Sequence, residues 1–415
     1  MQRKIRLGNF SLAFSILALS AAITGPVCAQ LAVSANDGKV KLVDGVVQTV
    51  KDGKDTISFI DMKANPPKTI ATIDAPASVV GPPTSVAVSP NGAIALITAA
   101  EKVDPADATK RVMDDKVTVV DLAALKPGLV GRLTAAVSRA AATPAITPKV
   151  IATLTAGKGA AGVSFNKAGT LALVANRGEG TVSIFTVNGT TVTAAGKVNL
   201  GDDKSGPSAV SFTPDGKMAL VTLDGENAHR IAVLTVDGTK VEYAKRDFNA
   251  GLRPYGMDIS SKGDAAVVAN IGRGQGDNDT ISVIDLKSNP PRVASTVAVG
   301  QTPEGIKLSP DGKYVAVTVM NGSNKPKASP FYNDNGLLKV YTRNGTQLTK
   351  TAEVAVGKWC QGVVWSANSK TLLVQCMVEE EIQVITFSGI TGASLKKTGS
   401  IKTTGGPAGI RTSEP

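Results

Sequence analysis

His229 is the only histidine of the chain, so no histidine pair can hold a metal or relay a proton. It sits in the polar loop Asp224–Arg230, where a solvated ring is a better reading than a general base. Of the three cysteines, Cys28 lies near the N-terminus, which leaves Cys360 and Cys376. These two flank a hairpin centred on residue 368, since (360 + 376)/2 = 368, with its turn at Ala367-Asn368-Ser369. Opposed residues in such a hairpin are about 4.5–5.5 Å apart, within disulfide reach. In an oxidising compartment a disulfide is favoured over two buried thiols. Asp277-Asn278-Asp279 and Glu379-Glu380-Glu381 carry enough oxygen for a hard cation, but read as ordinary polar loops. HExxH, CxxCH, GxxxxGK[ST] and GxSxG do not occur. Gly157-Lys158-Gly159-Ala160-Ala161-Gly162 spells GxGxxG, yet it joins two antiparallel strands and opens no helix, which excludes a dinucleotide fingerprint. Neither a metal nor a cofactor is expected.

Aromatic residues and cations make a better case for a site. Without Phe10 and Phe14, 14 of the 16 aromatics remain. Ten fall in predicted strands: Phe59, Phe165, Phe185, Phe212, Tyr243, Phe248, Tyr314, Tyr341, Trp365 and Phe387. The other four, Tyr255, Phe331, Tyr332 and Trp359, fall in loops that share one face of the architecture the repeats dictate. Arg253, Arg273, Lys325, Lys327, Lys358 and Glu304 share those loops. Aromatic platforms beside cations suit an anionic or ring-bearing ligand. The expected ligand-binding set is therefore Arg253, Tyr255, Arg273, Glu304, Phe331, Tyr332, Lys358 and Trp359. The competing account is packing, with Tyr255 and Trp359 plugging a channel mouth.

The elements that position these residues repeat. A short anchor occurs at Pro83, Ala160, Pro207, Pro254, Pro303, Cys360 and Pro407, in forms such as Pro303-Glu304-Gly305-Ile306. Successive anchors are 77, 47, 47, 49, 57 and 47 residues apart (160−83, 207−160, 254−207, 303−254, 360−303, 407−360). A period near fifty with strand-like content means a radial or solenoidal array. In the unit opened by Pro303, Ile306-Lys307-Leu308 alternates as a strand. Ser309-Pro310-Asp311-Gly312 follows as a turn. Tyr314–Val319 and Leu338–Thr342 are the next two strands, and the tight turn Asn344-Gly345 leads into a fourth ending at Val356. Four short antiparallel strands repeated about an axis make a β-propeller blade, and seven anchors make seven blades. The fold class is all-β.

Only one strand follows Pro407, Ala408–Ser413, and it needs three partners. The chain after residue 30 begins mid-repeat, with Leu31–Asn36 matching Ala172–Asn176 and Thr56–Ala75 matching Thr280–Val299. One C-terminal strand and three N-terminal strands therefore close the ring in a single blade, which removes exposed sheet edges. Arg3, Lys4 and Arg6, the apolar run Leu12–Ile23 and Val27-Cys28-Ala29 read as a signal peptide cleaved after Ala29, too short for a membrane span. The expected organisation is a leader over residues 1–29 and a propeller over residues 30–415, exported to a periplasm or cell envelope.

In each blade the loops before the inner strand, and between the second and third strands, share the top face. Two top insertions stand out, a hairpin at Lys39–Val50 turning at Asp44-Gly45, and Asn321–Gly336, long enough to fold over the mouth as a lid. A bottom insertion, Leu125–Pro148, is Ala-rich and suits a short helix near Leu129–Ala142. The net charge of +11 falls to about +8 without Arg3, Lys4 and Arg6, and it is scattered. That reads as a solvated surface. Nucleic acid is compatible with this charge but not implied by it.

The blade text resembles the YVTN-type propeller repeat: P-x-G-V, SPDG, a second strand ending in Ala-Asn or Thr-Val, then TISVID and a closing Val-Gly. The resemblance covers residues 31–415 and extends to lactonase-like, surface-layer and periplasmic propellers. It implies that Asn36, Asn176, Asn270 and Asn321 are strand-ending turn residues. It also implies that an enzymatic member would use a charged cluster at the channel mouth. Without a catalytic constellation, the expected role is binding or scaffolding of an unidentified small ligand or protein partner. Two alternatives stand: a lactonase-like hydrolase or isomerase, and a propeller subunit partnering a redox enzyme.

Overall fold

A computed structural model describes residues 30–125, 147–226, 228–389 and 392–413. The expected leader and the expected helix near Leu129–Ala142 lie outside these residues. Seven four-stranded antiparallel sheets form the ring, one per anchor. Blade 1 is the closing blade, with Gly406–Thr412 innermost, then Leu31–Asp37, Thr56–Asp61 and Lys68–Asp74. The inner strands of blades 2 to 7 are Val86–Val88, Ala160–Phe165, Pro207–Phe212, Pro254–Ile259, Pro303–Leu308 and Cys360–Trp365. The one-plus-three closure is as the chain ends require, with Ala32 facing Thr412 and Ala35 facing Gly409. Phe248 differs from expectation. It makes an isolated bridge to Ile231 and lies in no strand.

Burial follows the period-2 pattern. Inner and second strands are buried on both faces between neighbouring blades, whereas outermost strands alternate, as in Lys68–Asp74. The cores are therefore inter-blade layers. One of them joins Val283 and Val267 of blade 5 to Ile306, Val317 and Tyr341 of blade 6. No helix among the described residues is long and apolar enough to cross a membrane.

The anchor has a physical reason. In blades 3 to 7 the register between inner and second strand shifts just after the anchor's first residue, for example between Pro303 and Ile306. Such bulges re-aim side chains. The anchor glycine sits where neighbouring blades approach closely. A Cβ on Gly256 would lie 2.1 Å from the Glu304 carbonyl oxygen, and one on Gly305 would lie 2.0 Å from that of Gln361. Second-strand side chains tie neighbouring anchors together: Thr222 Oγ1 donates to the Tyr255 carbonyl at 2.8 Å, and Gln375 Nε2 to that of Gly409 at 3.0 Å.

Cys360 and Cys376 oppose each other across blade 7 and are bonded. Their sequence separation is 16 residues, and closing a loop of that size in the unfolded chain is worth roughly 3 kcal/mol. Replacing both with Ser is expected to lower stability by about that amount. Urea unfolding of the oxidised and double-Ser proteins measures it, and equal midpoints would contradict it.

Three insertions crowd the top. The expected hairpin is present as Val40–Val43 and Val46–Thr49. Buried Lys39 anchors its base, bridging Asp37 at 3.2 Å and Asp55 at 2.9 Å. Asn321–Gly336 is irregular but tied down. The Lys327 N–H donates to Asp44 Oδ1 at 2.9 Å, Gln301 Nε2 to the Phe331 carbonyl at 3.2 Å, and the Trp359 N–H to Ser323 Oγ at 3.0 Å. Sequence reading misses the third insertion. Strands Ile94–Asp104 and Asp107–Asp121 of blade 2 continue upward as a long hairpin, braced by Arg111 to Glu101 at 2.8 Å. Its charged, weakly alternating tip carries little strand signal.

Candidate functional site at the channel mouth

In blades 3 to 7 the second residue of the anchor lies in the bulge, at the top of the channel. In blades 4 to 7 these residues are Ser208, Tyr255, Glu304 and Gln361, all buried. The residue just past each second strand joins them, and this brings in Arg177 of blade 3 and Asp224 of blade 4. Arg177 Nη1 donates to Asp224 Oδ1 at 2.6 Å, and Arg253 Nη2 donates to Asp224 Oδ2 at 3.2 Å. Ser208 Oγ is bonded to the same carboxylate. The Arg177 guanidinium lies 5.5 Å from the centroid of the Tyr255 ring. Burial works against the Arg177 charge, but Asp224 holds the group protonated. Burial raises the Tyr255 phenol far above its ordinary range.

Glu304 is the unusual member. Burial pushes its carboxyl up to about 8, against the lowering influence of Gln361 and Arg177. Among the described residues its Oε2 has no hydrogen-bond partner, and neither has the buried Gln361 Oε1. Two orphaned acceptors in one buried mouth call for a donor: either the proton of a neutral Glu304 or a group on a bound molecule.

The eight sequence-predicted residues divide four ways. Arg253, Tyr255 and Glu304 join the cluster. Tyr255 and Glu304 do so from inner strands, not from loops as sequence reading places them. Tyr332 and Lys358 pair with each other further out, with Lys358 Nζ 3.1 Å from the phenol oxygen and 5.7 Å from the ring centroid. Trp359 is buried in an apolar cluster with Val40, Val79, Met320, Met377 and Ala408, which closes the mouth on the side of blades 1, 6 and 7. Phe331 is half exposed and covers Gly276, while Arg273 points to solvent. Sequence reading misses Arg177, Asp224, Ser208 and Gln361. Their only signal is position, because each stands at an anchor's second place or just past a second strand.

The acidic loops are already occupied. Asp279 Oδ2 accepts the Thr302 N–H at 2.9 Å, and burial raises its carboxyl to about 6. Burial opposes ionisation of Glu381, but hydrogen bonds from Lys397, Gln383 and Lys402 pull it down to about 2. Among the described residues, no three potential ligands gather for a metal.

Tyr255 and Trp359 are both nearly sealed, at 7 % and 9 % exposure. Truncating either to Ala is expected to cost about 3 kcal/mol, the scale of an aromatic core deletion. Thermal or urea unfolding checks this, and losses below about 1 kcal/mol would mean that the rings are not packed.

No protein-family model and no curated protein matches the chain. Solved structures do match. The periplasmic gluconolactonase PpgL of Pseudomonas aeruginosa superposes with a TM-score of 0.62 at 15% identity, over 92% of this chain and 100% of its own. A proposed 6-phosphogluconolactonase of Bacteroides fragilis gives 0.64 at 17% identity, over 92% and 98%. The hydrazine synthase of Kuenenia stuttgartiensis gives 0.54 at 18% identity, over 75% and 78%. The fold is that of the lactonase-like seven-bladed propellers. At these identities the likeness is one of fold alone.

Proposed function

We propose that this protein is an exported propeller whose upper channel mouth takes a small oxygen-rich ring ligand, and that the reaction the mouth supports best is hydrolysis of a lactone. The single observation behind this reading is Glu304, a buried carboxyl raised to about 8 with an oxygen unpartnered among the described residues, in the cluster with Arg177, Asp224 and Arg253. A general base works best when its pKa lies near the operating pH. Ionised Glu304 would take a proton from a water attacking the lactone carbonyl. Arg177 and Arg253 would stabilise the charge developing on the carbonyl oxygen. The ring C–O bond then breaks, the alkoxide takes up a proton, and a hydroxy acid leaves.

The test is hydrolysis of an aldono-δ-lactone, read above the spontaneous rate. Glu304→Gln is expected to lower kcat/KM by roughly 10²-fold or more, the usual scale for a lost general base. Hydrolysis above background that Glu304→Gln leaves intact would overturn the assignment.

A second reading is a binding or scaffold propeller, including a partner of a redox enzyme. It is favoured by the exposed valines of the top hairpin, Val43, Val46 and Val47, and by Met113 on the neighbouring long hairpin. It would prevail if the wild-type protein gave no turnover. The Cys360–Cys376 bond supports export to an oxidising compartment. Residues 1–29 would be the leader and residues 30–415 the propeller.

A further inference from the structure

We propose that the lower end of the channel is a second, separate site, built around Arg411, for a small molecule carrying a carboxylate or phosphate group. The inner strands end around a cavity of about 190 Å³, opposite the mouth described above. Its wall carries Arg411, Lys307, Asp258 and Ser211, with Phe165 and Phe212 supplying apolar surface.

Arg411 is the informative residue. Six arginines among the described residues are partly buried: Arg111, Arg177, Arg230, Arg253, Arg343 and Arg411. The first five each have an acidic partner within 3.2 Å. Arg411 has none among the described residues, although it is partly buried and lines the cavity. The one carboxylate among the described lining residues, Asp258, is committed elsewhere. Its Oδ1 holds Lys307 Nζ at 2.9 Å and its Oδ2 accepts the Leu308 N–H at 2.9 Å. With Asp258 committed to Lys307 and Leu308, no carboxylate on the described wall is left to compensate Arg411. The Ser211 hydroxyl makes no hydrogen bond within the described residues and faces the same space. A planar guanidinium with free donors, a nearby hydroxyl and two aromatic walls suit an oxyanion on a short carbon skeleton. The cavity is smaller than most drug-sized pockets, which limits the ligand to a few carbon atoms.

Titration calorimetry of the whole protein at low ionic strength, with succinate and separately with inorganic phosphate, tests this. Saturable binding of at least one anion is expected, and which one binds tells carboxylate from phosphate recognition. Arg411→Gln is expected to weaken that binding tenfold or more. Ser211→Phe, which fills the cavity without touching the charge, is expected to abolish it. Glu304→Gln, at the other end of the channel, is expected to leave it unchanged. Unfolding curves identify any variant that does not fold, and the other lower-cavity variant then decides. The proposal is overturned if neither anion binds saturably, or if folded Arg411→Gln or Ser211→Phe protein binds as the wild type does. It is also overturned if Glu304→Gln causes the same loss, which would assign the anion to the upper mouth.

Discussion

Truncating the chain after Pro407 is expected to abolish its cooperative unfolding transition. The lost strand is the innermost of blade 1 and pairs along Leu31–Asp37. Its Ile410 is fully buried among Ala32, Ile60, Val364, Leu373 and Ile382, so the deletion opens the packing between blades 7 and 1. Removing one such side chain alone costs about 2–5 kcal/mol, against a total stability of roughly 5–15 kcal/mol for a typical protein. The deletion also removes the ladder bonds and exposes a sheet edge. A calorimetric scan decides the matter. A single sharp transition at the wild-type temperature would contradict ring closure through this strand. A permutant with residues 406–413 fused ahead of Gln30 is expected to recover the transition, since the Ser413 N–H already donates to the Leu31 carbonyl at 2.9 Å.

Replacing Glu304 with Gln is expected to stabilise the fold in a pH-dependent way. In the unfolded chain the carboxyl loses its proton near 4.5, whereas in the folded protein it keeps it to about 8. Between those values the native state binds more protons than the unfolded state. Wild-type stability therefore falls as pH rises through this window and levels off above it. The slope is on the order of 1.4 kcal/mol per pH unit at most, which accumulates to a few kcal/mol. The Gln variant lacks this slope. Urea unfolding of both proteins at pH 5 and pH 8 is expected to show similar stabilities at the lower pH and a more stable variant at the higher. A difference independent of pH would place Glu304 in water-like surroundings.

The architecture is legible in the sequence because blade text is local. Each strand, turn and anchor is spelled within one repeat of about fifty residues, and closure follows from matching Leu31–Asn36 to Ala172–Asn176. The mouth is legible only in part. Glu304 and Tyr255 draw notice as a charge and an aromatic beside turn residues. Arg177 and Asp224 look like ordinary strand-end polar residues, and only the ring brings them from blades 3 and 4 to residues of blades 5 and 6. Counting Tyr255 as a loop residue treats the anchor as a turn, when its bulge is already part of the inner strand. The lower cavity escapes notice for the same reason. Arg411 and Lys307 each sit in a separate strand, and no local pattern marks that they share a wall.

The titration of Glu304 itself tests the central claim most directly. The carboxyl carbon can be followed by NMR in protein labelled at glutamate, with Glu304→Gln assigning the signal. A midpoint near 8 is the expected result. A midpoint near 4.5, the ordinary value for the side chain, would show an ionised, solvated carboxylate at neutral pH and would contradict the account of the channel mouth.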